Sequence, residues 1–130
     1  MTTVLLDTHV LHWWTAEPGR LTQAATAAVE KADAIAIAAI SWYELAWLAR
    51  HDRIRLTIPV RSWLDELSRH VLTIGITPAI AEAAAALPES FSGDPADRLI
   101  YATALEHGWH LVTKDGRLRQ HRQARQVTVW

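Results

Sequence analysis

The stretch TTVLLDTHVLHWW, residues 2–14, indicates the class of fold. Its first half is a short run rich in valine and leucine that stops at Asp7, which is typical of a buried strand. The residues after Asp7 have the pattern of a helix that this aspartate could cap. The stretch therefore predicts a strand that leads directly into a helix, with an acid between them.

The rest of the chain continues this alternation. Three further apolar runs predict strands: AIAIAAI, which ends at Ile40, then VLTIGI and HLVT. Helical patterns cover residues 22–32, 41–50, 60–70, 78–87 and 96–107. Such an order favours parallel pairing through right-handed crossovers, so we expect an α/β fold with helices on both faces of one sheet. No linker or repeat divides residues 1–130, and we expect a single domain.

The composition excludes several classes of protein. Thirteen Lys and Arg residues against fourteen Asp and Glu residues give a formal net charge of -1, so the chain is no polycation that coats nucleic acid. Cysteine is absent, which removes disulfides, thiolate metal sites and cysteine nucleophiles. The N-terminal residues show no basic leader, and their apolar run breaks at Asp7. We therefore expect a soluble, cytoplasmic protein.

Four acidic residues are expected at one edge of the sheet. Asp7 ends the first strand, and Glu44 lies in the first turn of the helix after the second strand. Asp97 opens the last long helix, and Asp115 follows the last predicted strand. In an open parallel sheet, the carboxyl ends of strands and the amino ends of the next helices share the edge where ligands usually bind. The topology therefore predicts one acidic crevice.

Each acid also has a purely structural interpretation. Asp7 could cap its helix, and Asp115 could form a turn with Gly116. Glu44 could complete a capping box with Ser41, and Asp97 could do so with Asp94. Together, however, four like charges in one crevice are costly unless protons or cations neutralise them. Oxygen ligands without cysteine select hard ions, so we expect Mg²⁺ or Mn²⁺, with one or two ions per site. Such ions activate water for attack on phosphate esters.

Other polar residues near these acids are candidates for contacts with a substrate. Thr8 and Thr113 each lie close to one of the acids in sequence and could orient a phosphate. Basic residues gather at 50–55 and again at 114–125, where Lys114 and Arg117 start beside the predicted crevice. They could hold RNA phosphates, although solvated surface charge is the alternative for any single arginine. Arg98 could contact the substrate or form an ion pair with its neighbour Asp97.

Four motifs, in this order, resemble those of the PIN domain, and more narrowly of the VapC-type toxins of bacterial toxin and antitoxin pairs. The motifs are LLDTH, SWYELAWLAR, GDPADRLIYATA and LVTKD, and together they extend over nearly the whole chain. The resemblance implies an α/β/α sandwich with a central parallel sheet of about four to five strands. It also implies that residues 1–130 form a single PIN-like ribonuclease domain.

The resemblance assigns roles to the acids. It implies four catalytic residues: Asp7, Glu44, Asp97 and Asp115. Asp7 and Asp97 are the implied metal ligands, and Asp94 and Asp115 are further candidates. The segment DPAD contains two aspartates, so the assignment between Asp94 and Asp97 stays open. Asp97 is favoured because it directly precedes the apolar helical stretch, whereas Asp94 also suits a helix cap.

The activity implied by the resemblance is magnesium-dependent cleavage of cellular RNA, held in check by a VapB-type antitoxin, commonly in a homodimer. A receiver domain that accepts a phosphoryl group is one alternative, but its paired N-terminal acids and Lys-Pro dipeptide are missing. A catalytically silent PIN-like binding module is another, and the four intact acids argue against it. The tryptophans on helical segments are expected in the core or at a partner interface.

Overall fold

The computed structural model describes all residues, 1–130, and its centre is one five-stranded sheet. The strands are β1 (Thr3–Leu6), β2 (Ala34–Ala38), β3 (Leu72–Ile74), β4 (His110–Val112) and β5 (Thr128–Val129). Every neighbouring pair is parallel, and the order across the sheet is β3-β2-β1-β4-β5. The predicted parallel sheet is therefore confirmed.

Seven α-helices surround this sheet: α1 (Thr8–Ala16), α2 (Gln23–Lys31), α3 (Ile40–Arg50), α4 (Val60–Ser68), α5 (Pro78–Ala86), α6 (Pro95–His107) and α7 (Gly116–Gln120). A short 3₁₀ turn covers Pro18–Arg20. None of the helices has the length and apolar character needed to cross a membrane.

The side chains of β1 alternate between two hydrophobic cores, one on each face of the sheet. Val4 and Leu6 belong to a cluster completed by residues of α1, α2, α3 and α4. Leu5 belongs to a second cluster that contains residues of α6 and α7. Helix α5 packs on α6 in a smaller third cluster around Ile80. This layering is the α/β/α sandwich expected from the sequence.

The position of β1 decides where a ligand can bind. The chain runs outward from β1 to β2 and β3, and then returns to the other side of β1 to form β4 and β5. The two connections therefore diverge at the carboxyl end of β1, which opens a crevice at that point. Asp7 is the residue that follows β1.

Four details differ from the expectations. The strand predicted to end at Ile40 stops at Ala38, because Ile40 already begins α3. The helix predicted over 60–70 ends at Ser68. Asp115 does not form a simple turn with Gly116 but caps the short helix α7. Helix α7 and the two-residue strand β5 were absent from the predicted elements, because both are too short to show a periodic pattern.

Candidate active site

A cavity of about 500 Å³ opens at the carboxyl edge of the sheet, where the chain leaves β1. We call it the acidic cavity, because five carboxylates line it: Asp7, Glu44, Asp94, Asp97 and Asp115. The remaining lining residues are Thr8, His9, Val10, Trp13, Lys114 and Arg117. The structure thus brings together all four acids that the topology predicted to meet.

Asp7 is held in the wall of this cavity by two hydrogen bonds. Its Oδ1 accepts from the backbone N–H of Thr8 at 2.8 Å, which makes Asp7 the N-cap of α1. Its Oδ2 accepts from the hydroxyl of Thr113, just after β4, at 2.7 Å. Burial raises the pKa of Asp7, and these hydrogen bonds offset only part of that cost. Asp7 therefore caps α1, and its carboxylate is fixed in position although burial disfavours its ionised form.

Glu44 reaches the cavity from the first turns of α3. Its Oε1 accepts from the hydroxyl of Thr8 at 2.5 Å, and that hydroxyl lies 2.9 Å from the hydroxyl oxygen of Ser41. The capping box expected between Ser41 and Glu44 is not formed, because Ser41 lies inside α3 and faces Thr8. Burial, followed by the like charges of Asp7, Asp94 and Asp97, raises the pKa of Glu44.

The two aspartates at the start of α6 have different partners. Asp94 is the N-cap, since its Oδ1 accepts from the backbone N–H of Ala96 at 2.9 Å and Pro95 occupies the first helical position. The side chain of Asp97 makes no such capping bond. Its Oδ2 accepts from the hydroxyl of Ser92 at 2.7 Å, and only 8% of the residue is exposed. Burial raises the pKa of Asp97.

Asp115 and Arg117 close the remaining side of the cavity. Oδ1 of Asp115 accepts from the backbone N–H of Arg117 at 2.9 Å, which caps α7. Nη2 of Arg117 lies 3.0 Å from Oδ2 of Asp115 and 3.1 Å from Oδ2 of Asp97. Burial of Asp115 acts to raise its pKa, but the hydrogen bonds and charge of Arg117 outweigh that effect, so the pKa of Asp115 is lowered.

The donor set suits a hard divalent cation. Every candidate ligand is a carboxylate oxygen, and Oδ1 of Asp97 and Oε2 of Glu44 accept no hydrogen bond from the protein. No three Asp, Glu or His side chains converge closely enough to hold an ion among them. Magnesium usually takes only one or two protein carboxylates and keeps several waters, so it does not require such a group.

The basic residues predicted to contact substrate divide into two groups. Lys114 and Arg117 line the acidic cavity. Arg98 does not line it and makes no ion pair with Asp97, in contrast to both interpretations of the sequence. Its guanidinium instead donates to the backbone carbonyls of four residues: Ala84, Leu87, Pro88 and Ser92. Arg98 therefore anchors the loop before α6.

The predicted basic cluster at 50–55 contributes no lining residue to the acidic cavity. In the second cluster, Arg125 donates to the backbone carbonyls of Ala104 and Trp109 and is thus a structural residue. Thr8 and Thr113 are buried and bond to carboxylates of the site. The two threonines therefore position acids, rather than presenting free hydroxyls to a substrate.

Ser92 is a site residue that the sequence did not indicate. Its hydroxyl donates to Asp97 and accepts from the backbone N–H of Asp94 at 3.2 Å, so it connects the two aspartates of α6. The sequence offered one clue to Ser92, its position two residues before the N-cap Asp94, because serine commonly stabilises turns there. Its bond to Asp97 depends on the fold of the preceding loop.

A second cavity of about 290 Å³ adjoins the first and shares Thr8, His9 and Glu44 with it. Its apolar wall contains Tyr43 and Trp47, which are 66% and 41% exposed. The other tryptophans of helical segments, at positions 13, 14, 42 and 63, pack against the first hydrophobic core. Four of these tryptophans therefore pack against the core, as expected, and Trp47 is exposed.

The chain is similar to known proteins over most of its length. The family model described as PIN domain matches residues 4–124. The chain is 68% identical to Ribonuclease VapC22 of Mycobacterium tuberculosis (strain ATCC 25618 / H37Rv) over 130 residues, which is the full length of both proteins.

Solved structures show the same fold. A toxin-antitoxin complex from Klebsiella pneumoniae contains a chain with 25% identity and a TM-score of 0.63, with 86% of each chain covered. The structure of VapBC-1 from nontypeable Haemophilus influenzae gives a TM-score of 0.69 at 15% identity, covering 92% of this chain and 91% of that one. At that identity the second likeness supports the fold alone.

Replacing Glu44 by glutamine is expected to stabilise the protein in EDTA at pH 7.5. Glutamine keeps an oxygen for the Thr8 hydroxyl and removes a charge that burial disfavours. Because the folded pKa of Glu44 lies above its ordinary value of 4.5, the gain should be absent below pH 4.5 and grow as pH rises through the folded pKa.

Urea unfolding of both proteins across pH 4 to 8 measures this gain. Glu82→Gln, at an exposed position of α5, is the matched control and should change stability little. A gain that is independent of pH, or equal in the control, would contradict the assigned origin.

Proposed function

The chain belongs to the PIN-domain family, and from this premise we propose that it is a metal-dependent endoribonuclease, the toxin of a toxin and antitoxin pair. The observation that carries the proposal is the convergence of Asp7, Glu44, Asp97 and Asp115 on one cavity. Identity of 68% to a named ribonuclease over the full length supports the same activity. We propose that the whole chain, 1–130, is one ribonuclease domain.

Asp7 and Asp97 are the proposed primary metal ligands, with Asp115 as a third candidate. Asp7 is oriented by Thr8 and Thr113, and Asp97 by Ser92, so neither carboxylate needs to be ordered when a cation binds. We propose Mg²⁺, with Mn²⁺ as a substitute. A bound divalent cation supplies charge stabilisation for the phosphodiester and acidifies water.

Glu44 is the proposed proton acceptor for the attacking water. Its Oε1 is engaged by Thr8, which leaves Oε2 without a hydrogen-bond donor at the cavity wall. The raised pKa of Glu44 brings its basicity closer to neutral pH, as general base catalysis requires. The hydroxyl of Thr8 therefore positions the base, while the backbone N–H of the same residue holds Asp7.

Two cationic side chains are proposed to contact the RNA backbone. Lys114 and Arg117 line the acidic cavity, beside the place where the scissile phosphate would lie. Trp13 forms the adjoining wall, and Nζ of Lys114 lies 5.8 Å from the centre of its ring. Positive charge next to an aromatic face is typical of surfaces that bind single-stranded RNA.

The pair Asp97→Asn and Asp94→Asn tests the assignment of the acids. Asparagine in place of Asp97 lacks the charge proposed to bind metal, so RNA cleavage should fall by about a hundredfold or more. Asparagine is as good an N-cap as aspartate, so the Asp94 variant should keep most of its activity and stability.

Cleavage of total RNA, followed by mapping of the cleaved ends, is the measurement, with circular dichroism as a check on folding. An equal loss in both variants would show that Asp94 is also a ligand. Full activity in the Asp97 variant would refute its role.

Removal of divalent metal should abolish RNA cleavage without unfolding the chain. The acidic cavity lies on a sheet with two apolar cores, so the fold does not depend on a cation. EDTA-treated protein should be inactive, and added Mg²⁺ or Mn²⁺ should restore cleavage. A protein that never cleaves RNA in either metal, while still binding RNA or protein, would instead be the silent PIN-like module.

The proposed partner is a VapB-type antitoxin, because the structural neighbours with this fold come from toxin-antitoxin complexes. Exposed Tyr43 and Trp47 next to the acidic cavity offer an apolar surface that an amphipathic partner helix could cover. We also propose that the chain alone is a homodimer and acts in the cytoplasm.

Co-expression tests this partnership. A small protein encoded directly upstream should co-purify with the chain and suppress both RNA cleavage and growth inhibition. Light scattering of the chain alone should give about twice its mass of 14.6 kDa. A monomer would refute the homodimer, and an upstream protein that neither binds nor inhibits would refute the proposed antitoxin.

A further inference from the structure

We infer that Arg117 is an internal competitor for the metal site, a guanidinium whose contacts with Asp97 and Asp115 disfavour a divalent cation at the same two carboxylates. The inference rests on the proposed function, because it takes these acids as candidate metal ligands. The competition by Arg117 would raise the concentration of divalent cation that is needed to occupy the site.

Arg117 contacts one oxygen of Asp97 and both oxygens of Asp115, and leaves Oδ1 of Asp97 free. Its Nη2 lies between Oδ2 of Asp115, at 3.0 Å, and Oδ2 of Asp97, at 3.1 Å. A guanidinium and a divalent cation bound to the same pair of carboxylates would repel each other at close range. Occupancy of one therefore disfavours the other.

Arg117 is also held in a way that permits release. Its side chain is 63% exposed, and the only acceptors of its guanidinium are Asp97 and Asp115. The guanidinium is therefore open to solvent and can move into water, although the two acids that it contacts are largely buried. Arg98 provides the contrast, because its guanidinium is fixed by four backbone carbonyls and cannot leave without exposing them.

Neighbouring charges explain why a tethered cation is useful here. Asp97 is nearly buried, and four further carboxylates line the same cavity. Arg117 is the cation in direct contact with Asp97 and Asp115. It therefore reduces the negative charge of the crevice until a divalent ion replaces it, at which point the guanidinium is released next to the proposed RNA path.

Arg117→Gln is the decisive variant, because glutamine cannot neutralise either acid. Its affinity for Mg²⁺, measured by calorimetry, and for Mn²⁺, measured by electron paramagnetic resonance, should rise by about tenfold. Arg117→Lys keeps the charge but not the planar fork, so its affinity should fall between those of the wild type and the glutamine variant. These readouts do not depend on RNA cleavage.

Arg119→Gln is the matched control, since Arg119 lies on the same short helix, is exposed and makes no ion pair with the acids. Its metal affinity should stay close to that of the wild type. Equal shifts in the Arg117 and Arg119 variants would overturn the inference, because they would reflect net charge alone. An unchanged or weaker affinity in Arg117→Gln would also overturn it.

Asp97→Asn separates this inference from the proposed function. If Asp97→Asn weakens metal binding while Arg117→Gln leaves it unchanged, the metal site stands and only the competition is wrong. If Asp97→Asn does not affect metal binding, the metal lies elsewhere and both proposals fail. Tighter binding in Arg117→Gln that is lost again in the double variant with Asp97→Asn supports both.

Discussion

The repulsion among carboxylates at one edge of the sheet is the constraint on which the rest of the site depends. Parallel strands and their following helices place Asp7, Glu44, Asp97 and Asp115 around one cavity, where burial disfavours all four charges and the pKa of all but Asp115 is raised. Hydroxyl groups and one guanidinium bind these carboxylates and reduce the free energy that their burial and mutual repulsion cost. A site of this kind is retained for its chemistry, since its charges oppose stability.

The architecture was predictable because short apolar runs alternate with clear helical periods. Such runs predict a parallel sheet, whereas the order β3-β2-β1-β4-β5, with β1 at the centre, was not predicted. Two elements, β5 and α7, escape this reasoning. Strand β5 has two residues, and α7 is an arginine-rich turn whose start is marked only by Asp115.

The acids of the site were predictable for a topological reason, whereas their partners were not. A residue that ends a strand or opens the next helix must lie at the ligand edge, so the positions of Asp7 and Asp97 follow from the element order. The hydrogen bond from Thr113 to Asp7 joins residues 106 positions apart, and depends on β1 and β4 being neighbours. Arg98 shows the limit of sequence proximity, because it adjoins Asp97 in the chain and bonds elsewhere.

The start of α6 shows how one helix turn can hold two acids with separate tasks. An N-cap carboxylate must turn back to the free N–H groups of its own helix, and Asp94 does so through Ala96. That geometry engages one oxygen of Asp94 in the helix. Three residues later, Asp97 does not cap the helix. Ser92 donates to one of its oxygens, and the other accepts no hydrogen bond.

The N-cap fixes where α6 begins, and Asp97, in the first turn, therefore lies at the cavity. Asp94 is therefore best understood as the cap that positions Asp97.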